Sequence, residues 1–148
     1  MGQFILTSAV DYKDIDLSWM TRRVITEVSF YDPAMWSFIF GPDVYIQVEC
    51  LWRIVEHGRV VLTNQDHGHK FGLPAPMDAV AMSTELLAGR SISAVQLRDA
   101  TADIVIEFSG DLRLEIIPIS AGYESWQLRD PFGASYVAQG GGQISTWT

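Results

Sequence analysis

The chain has 148 residues and a formal net charge of −8, since ten Lys and Arg stand against eighteen Asp and Glu. Apolar residues make up 48% and charged residues 19%, which predicts one folded domain and argues against disorder. Residues 1–74 hold six cationic and nine acidic side chains, a charge of −3, and residues 75–148 hold four and nine, a charge of −5. Because both halves are acidic, the charge pattern argues against nucleic-acid binding.

Cys50 is the one cysteine, so the chain cannot form an internal disulfide, and a reducing cytoplasm is the expected compartment. The first residues lack the basic region and the long apolar run of a signal peptide. No segment reaches the apolar length of a membrane span, so we predict a cytoplasmic protein without a membrane partner.

The first half predicts a β-rich unit. Residues 1–16 read as an arm in which Phe4, Ile5 and Leu6 could form a short strand, and 17–22 as one or two helical turns. Alternating apolar residues then predict a series of strands at 23–31, 36–40, 44–48, 52–55 and 59–63. His57-Gly58 predicts a tight hairpin turn that places Glu56 opposite Arg59.

The second half predicts a helix followed by a similar series of strands. Residues 64–76 read as an irregular loop and 77–88 as a helix, with Pro76 in its first turn and Ala79, Met82 and Leu86 on one face. The predicted strands are 92–97, 104–108, 112–116, 123–129, 135–138 and, as a last edge strand, 143–147. A three-residue turn at 109–111 sets Phe108 opposite Leu112 and Glu107 opposite Arg113.

The two halves show the same order of elements. Residues 23–30 match 90–97 at an offset of 90 − 23 = 67, and 44–48 match 112–116 at 112 − 44 = 68. Trp52 matches Trp126 at 126 − 52 = 74. We therefore predict a mainly antiparallel α+β fold with a pseudo-twofold duplication. It consists of two tandem β-meander units, at 17–63 and 77–148, with about eight strands and two short helices in total. Each unit covers the apolar face of the other.

The segment Asp66-His67-Gly68-His69 is the best candidate for a metal site or an enzymatic site, with Glu124 as a further acid. Its spacing matches no strong metal motif, and a polar loop in which Asp66 caps a turn is the better explanation. Glu107 and Glu115 read as surface ion-pair partners beside Arg113 rather than catalytic acids. We therefore predict no enzyme, no metal and no cofactor.

Several aromatic residues could form a ligand pocket or a protein-binding surface, although core packing explains most of them. Tyr45 is the exception, because it alternates with the inward residues Val44 and Ile46. As a partner-binding surface we predict the polar strand faces and the 64–73 loop, and we name Tyr45, Asp66, His67, His69 and Glu124.

Five short segments carry a resemblance to known proteins: Trp52-Arg53, Asp66-His67-Gly68, Phe71-Gly72, Gly122-Tyr123-Glu124-Ser125-Trp126 and Gly140-Gly141-Gly142. Together they resemble a group of small bacterial proteins classed as domains of unknown function. The resemblance covers about residues 17–147, and the GYESW segment is its most specific part. Compact acidic proteins of this kind look like the immunity proteins encoded beside secreted bacterial toxins. The resemblance supplies no catalytic residues.

Three functions follow as hypotheses. The first is a non-enzymatic immunity-type protein whose acidic surface binds a basic toxin domain, which would gain from electrostatic steering. The second is a small-molecule- or metal-binding protein, or an enzyme, that uses the 66–69 loop. The third is a homodimer joined through edge strands at 143–147, so the chain would be a monomer or a homodimer.

Overall fold

The structure, a computed structural model, describes residues 7–147. These residues form twelve antiparallel strands and one α-helix. The first six strands are β1 (Thr7–Ala9), β2 (Glu27–Tyr31), β3 (Met35–Gly41), β4 (Val44–Val48), β5 (Leu51–Glu56) and β6 (Arg59–Thr63). After the helix α1 (Ala79–Leu87) come β7 (Ile92–Leu97), β8 (Ile104–Phe108), β9 (Leu112–Ile117), β10 (Trp126–Arg129), β11 (Ser135–Ala138) and β12 (Ile144–Trp147). The α+β, mainly antiparallel prediction is confirmed, whereas eight strands was too few.

The strands form two sheets that pack face to face. One has seven strands in the order β1-β12-β11-β10-β4-β3-β2, and the other has five in the order β6-β5-β9-β8-β7. Trp52 of the five-stranded sheet contacts Trp36 and Phe38 of the seven-stranded sheet edge-on, with ring centroids 5.0 and 5.4 Å apart. Edge-to-face aromatic pairs add to the area that the core buries. The predicted inward faces of 36–40 and 44–48 are confirmed, because Trp36, Phe38 and Phe40 are buried in β3 and Val44, Ile46 and Val48 are buried in β4.

Each half of the chain contributes strands to both sheets. In the first half, β2, β3 and β4 belong to the larger sheet, and β5 and β6 to the smaller one. In the second half, β7, β8 and β9 belong to the smaller sheet, and β10 and β11 to the larger one. Neither half therefore forms one continuous meander, as was predicted for each unit, because its strands are divided between the two sheets. Within each half the last two strands cross to the opposite sheet, where β5 pairs with β9 and β10 pairs with β4 of the other half.

The two sheets share a strand order when the halves are exchanged. The order β2-β3-β4-β10-β11 becomes β7-β8-β9-β5-β6 if each strand is replaced by its predicted counterpart in the other half. The register agrees as well, since Trp126 pairs with Val48 and Trp52 pairs with Ile116. Val48 and Ile116 are themselves counterparts at the offset of 68. β12 and β1 then extend the larger sheet beyond β11.

Helix α1 begins later than predicted. The side chain of Asp78 accepts a hydrogen bond from the Ala81 amide at 3.1 Å, so Asp78 is the N-cap and Pro76 lies before the helix. The buried face consists of Ala79, Ser83 and Leu87, whereas the predicted face members Met82 and Leu86 are half-buried. No helix in residues 7–147 is long and apolar enough to cross a membrane. The segment 17–22 forms a single 3₁₀ turn, Ser18–Met20, rather than an α-helix.

The predicted hairpin registers are confirmed. Glu56 lies opposite Arg59, and His57 and Gly58 both have positive φ, at 51° and 78°. Phe108 lies opposite Leu112 and Glu107 opposite Arg113. The charges pair differently, however, because Glu56 accepts from Arg90 at 2.9 Å rather than from its cross-strand neighbour.

Three strand predictions differ from the structure. The strand predicted at 23–31 begins at Glu27, and the one predicted at 123–129 begins at Trp126. The 143–147 strand exists as β12 but is not an edge, because it lies between β11 and β1. A homodimer through this strand, as hypothesised, would have to displace β1. The expected strand at Phe4-Ile5-Leu6 falls outside the described residues.

Candidate binding groove where the chain crosses between the sheets

The chain crosses from one sheet to the other twice, at one end of the sandwich. The first crossing, between β4 and β5, consists of Glu49 and Cys50; the second, between β9 and β10, consists of residues 118–125. The two crossings touch, because the Glu49 amide donates to the Ser125 carbonyl at 2.9 Å. The Ser125 amide in turn donates to the Ala138 carbonyl at 2.9 Å. These backbone bonds hold both crossings against the larger sheet.

A groove of about 470 Å³ lies between the crossings and the loop after β6. We call it the crossover groove. Its lining residues are Glu49, Cys50, Leu51, Asn64, Gln65, Ile119, Ser120, Tyr123, Glu124 and Ser125.

The lining carries negative charge and exposed apolar groups. Glu49 and Glu124 are its charged side chains, both are exposed, and neither forms an ion pair with any residue in 7–147. Ile119 is 74% exposed and Tyr123 is 81% exposed. Such unpaired carboxylates beside an exposed aromatic ring suit a cationic ligand, since a cation is attracted both to the charge and to the face of the ring.

One lining side chain is buried and lacks a hydrogen-bond partner. Ser125 is 2% exposed, and its Oγ accepts from and donates to no group within the described part of the chain. A buried hydroxyl without a partner costs about 1–3 kcal/mol. The flanking Trp126 has no such deficit, because its Nε1 donates to the Ala102 carbonyl at 2.8 Å.

Cys50 does not supply a nucleophile to the groove. Burial raises the pKa of its thiol to about 12, with hydrogen bonds from nearby backbone amides opposing that rise. The thiol therefore stays protonated near neutral pH, and the thiolate is the form that attacks electrophiles or binds metals.

The side chains of Asp66 and His67 support the loop and α1. Asp66 accepts from the Thr63 amide at 2.9 Å, in a reciprocal cap with the Thr63 hydroxyl. The Nδ1 atom of His67 accepts from the Ala79 amide at 3.0 Å, at the first turn of α1. The His67 ring also contacts the rings of Phe30 and Trp36, with centroids 4.9 and 5.3 Å away. An imidazole nitrogen that accepts from an amide has no lone pair left for a metal.

His69 points away from these contacts. It is exposed and its ring stacks on Phe71 at a centroid distance of 5.5 Å. Across residues 7–147, no group of three or more His, Cys, Asp and Glu side chains is placed to share a metal ion. The geometry thus gives no support to the alternative of a metal or enzymatic site at 66–69.

The five residues named from the sequence do not form one surface. Glu124 lines the crossover groove, and Asp66 is the residue after Gln65, which is also a lining residue. Tyr45 lies on the outer face of the larger sheet between Ile39 and Arg129, in a separate groove of about 480 Å³. The outward position of Tyr45 is as predicted, but the ring belongs to a different part of the molecule.

The glycine segment 140–142 supports the second crossing from behind. A Cβ on Gly140 would lie 2.5 Å from the Ala121 carbonyl carbon and oxygen, and a Cβ on Gly142 would overlap the Ala100 carbonyl. The Gly141 amide also donates to the Ser120 carbonyl at 3.1 Å. Only glycine fits at such close backbone approaches, so the segment packs against the groove wall.

Ser120 shapes the wall itself. Its hydroxyl oxygen accepts from the amides of Gly122 and Tyr123 at 3.1 and 2.9 Å. Glu49, Ile119 and Ser120 were missed by sequence reasoning, because they belong to the groove only through the meeting of two distant crossings. The available signal was the insertion of residues around Ser120-Ala121-Gly122 relative to the first half.

Unlike Glu49 and Glu124, the carboxylate of Glu115 forms ion pairs. It lies on the outer face of the smaller sheet, in β9. Glu115 accepts from Arg53 Nε at 2.5 Å and from Arg113 Nε at 2.7 Å. Burial by itself would raise the pKa of Glu115, but the hydrogen bonds and charges of the two arginines outweigh it and hold that pKa below its usual value. The Glu115 carboxylate is therefore paired within the smaller sheet.

Comparisons of the chain with family models, with curated proteins and with solved structures found no match. The resemblance carried by Gly122–Trp126 stays a prediction.

Proposed function

We propose that the protein is a non-enzymatic binding protein that takes up a basic protein partner in the crossover groove. The observation behind the proposal is the pair of unpaired carboxylates, Glu49 and Glu124, beside the exposed side chains of Ile119 and Tyr123. Interfaces gain affinity from a few exposed aromatic and apolar side chains, and complementary charge adds to the rate of association. A net charge of −8 extends the same attraction over the whole surface.

Among such proteins, an immunity-type protein that neutralises a bacterial toxin is the role we favour. The support is the resemblance of the GYESW segment to small bacterial proteins, together with the acidity of both halves. Many toxin domains act on nucleic acid and are basic, so an acidic inhibitor would bind them quickly. Occlusion of such a domain needs a rigid surface rather than catalytic groups, and the two crossings provide one.

The test uses the protein encoded by the adjacent gene in the native genome. We expect the two proteins to co-elute from gel filtration, and the complex to weaken as salt increases because charge contributes to association. We also expect co-expression to protect cells from the partner. The double substitution Glu49→Gln with Glu124→Gln should lower the affinity about tenfold or more, as truncating a charged interface pair does.

Glu107→Gln is the matched control, since it removes one charge from an exposed position on the outer face of the smaller sheet. It should change affinity only slightly. If the neighbouring protein is not toxic and no basic protein binds in pull-downs from the native cell, the proposal is wrong.

We further propose that the fold arose by duplication of one β unit with exchange of its last two strands. The support is the shared strand order of the sheets and the equivalent pairing of Trp52 and Trp126. In an experimental structure, a twofold rotation should superpose β2–β6 on β7–β11 and bring Trp52 onto Trp126. If no rotation does both, the halves are not copies of one unit.

A further inference from the structure

We propose that the crossover groove binds the guanidinium group of an arginine side chain presented by the partner. This inference rests on the proposed function and names the group that the groove recognises. Three acceptors of the lining carry it: the carboxylates of Glu49 and Glu124 and the buried hydroxyl oxygen of Ser125.

The Ser125 hydroxyl is the most informative of these. Ser125 is a lining residue of the groove, and its buried Oγ has no partner within residues 7–147. Four buried side-chain polar atoms within residues 7–147 lack a partner, and the Ser125 Oγ is the one that belongs to a lining residue of the groove. Each such deficit destabilises the folded state. A donor that enters the groove would remove the deficit, and the binding of that donor would gain accordingly.

The number of acceptors favours arginine over lysine. A guanidinium presents five N–H donors in a rigid planar fork, whereas an ammonium group presents three. An ammonium group is a compact, strongly hydrated charge that gains less from leaving water. The lining residues include no lysine or arginine that would compete for these acceptors.

The apolar part of the lining suits the rest of an arginine side chain. Tyr123 is 81% exposed, and a guanidinium plane stacks well on an aromatic ring. Ile119, at 74% exposed, can contact the methylene groups of the stem. A volume of about 470 Å³ leaves room for one such side chain together with the adjoining backbone of an extended partner segment.

The first experiment is an NMR titration of the ¹⁵N-labelled full-length protein with the peptide acetyl-Gly-Arg-Gly-amide. We expect saturable shifts at the amides of residues 49–51 and 119–125. The citrulline peptide, which keeps the shape and lacks the charge, should bind at least tenfold more weakly, and the lysine peptide should fall between the two. Equal shifts with the citrulline peptide would overturn the inference.

Free L-arginine separates a partner's side chain from a small metabolite. Its carboxylate would meet Glu49 and Glu124, so it should bind more weakly than the capped peptide. If free arginine binds more tightly than the peptide, the groove serves a small molecule and the inference about a partner's side chain is overturned.

Ser125→Ala separates recognition from stability. Removing an unpaired buried hydroxyl should leave the melting temperature unchanged or raise it, while the arginine peptide should bind about five- to tenfold more weakly. Glu124→Gln should weaken peptide binding about tenfold at unchanged stability, and Glu107→Gln should affect neither property. Unchanged peptide affinity in both groove variants would contradict the inference.

The outcomes distinguish this inference from the proposed function. A partner that binds, with an affinity unaffected by Ser125→Ala and Glu124→Gln, would leave a binding protein that uses another surface, and the arginine site would be wrong. Peptide binding that depends on Ser125 and Glu124, without any basic protein partner in the native cell, would support the guanidinium site and overturn the proposed function.

Discussion

The two crossings between the sheets differ in length and in exposure, although they occupy equivalent places in the strand order. The first consists of Glu49 and Cys50 and stays close to the sheet, whereas the second spans residues 118–125 and exposes Ile119 and Tyr123. The same ladders hold both, since Leu51 pairs with Ile117 and Val48 pairs with Trp126. The same strand pairing therefore accommodates a connection of two residues and a connection of eight residues.

This contrast separates the requirements of the fold from those of binding. The short crossing shows that a single dipeptide suffices to move the chain from one sheet to the other. The second crossing is longer, and two of its side chains, Ile119 and Tyr123, are 74% and 81% exposed. Insertions of this kind on a rigid scaffold are the usual place for recognition residues.

The largest expected effect comes from separating the crossings onto two chains. Residues 1–74 and 75–148, expressed apart, should each be unfolded, because each lacks strands of both sheets and exposes its buried aromatic residues. Circular dichroism and ¹H–¹⁵N NMR spectra of the two pieces measure this. A dispersed spectrum from either half would show that the crossings are dispensable for folding.

A smaller effect is expected when the support behind the second crossing is removed. Gly140→Ala places a Cβ 2.4–2.5 Å from the backbone of Ala121 and Gly122 and should destabilise the protein by about 1–3 kcal/mol. It should also shift the amide resonances of 119–125. Gly122→Ala is the control, because a Cβ there meets nothing within 4 Å. Equal effects of the two substitutions in urea unfolding would refute the packing role of Gly140.

The loop opposite the second crossing should depend on one histidine and not on the other. His67→Ala removes the acceptor of the Ala79 amide and the contacts with Phe30 and Trp36, at an expected cost of about 1–3 kcal/mol. His69→Ala should stay within about 0.5 kcal/mol, because the ring is exposed. Thermal or urea unfolding compares the two variants. A similar loss in both would point to a shared role, such as a common ligand.

The stability contributed by the paired carboxylate of Glu115 can be compared with that of the unpaired carboxylate of Glu124. Glu115→Gln should cost about 1 kcal/mol, because its arginine partners are partly exposed, whereas Glu124→Gln should cost nothing measurable. Since the pKa of Glu115 is lowered in the folded protein, its stabilisation is present above its usual value of 4.5 and is lost as the pH falls through the lowered one. The stability of the Gln variant should therefore fall less between pH 5 and pH 3. Parallel pH profiles would contradict this assignment.

The smallest effect concerns the short crossing itself. The Cys50 thiol has a pKa near 12, so the folded protein should react with iodoacetamide at pH 8 far more slowly than the protein in denaturant. Because the unfolded thiol titrates near 9, it releases its proton first, and this residue makes the folded state less stable as the pH rises from 9 towards 12. Cys50→Ser should alter that alkaline slope. Rapid labelling of the folded protein would show that the crossing opens.

Sequence patterns predicted the parts of the fold that depend on neighbours along the chain. Alternation identified the buried faces of β3 and β4, and short turns identified the registers of the β5–β6 and β8–β9 hairpins. The same logic failed at Tyr123, where a strand pattern continues into a residue that is 81% exposed. It also failed for α1, because apolar residues lie on more than one face of this helix. Packing against β2 and β6 decides which face is buried.

The amino-acid sequence by itself determined the acidic charge, the strand-rich α+β class and the hairpin registers. These follow from local periodicity, turn chemistry and composition, which neighbouring residues specify. Only the tertiary structure decided which sheet each strand joins, that β12 lies inside a sheet, and that Glu49, Glu124 and Ser125 line one groove. Those features depend on contacts between residues far apart in the chain, and the burial of apolar faces selects among pairings that a local pattern leaves equally open.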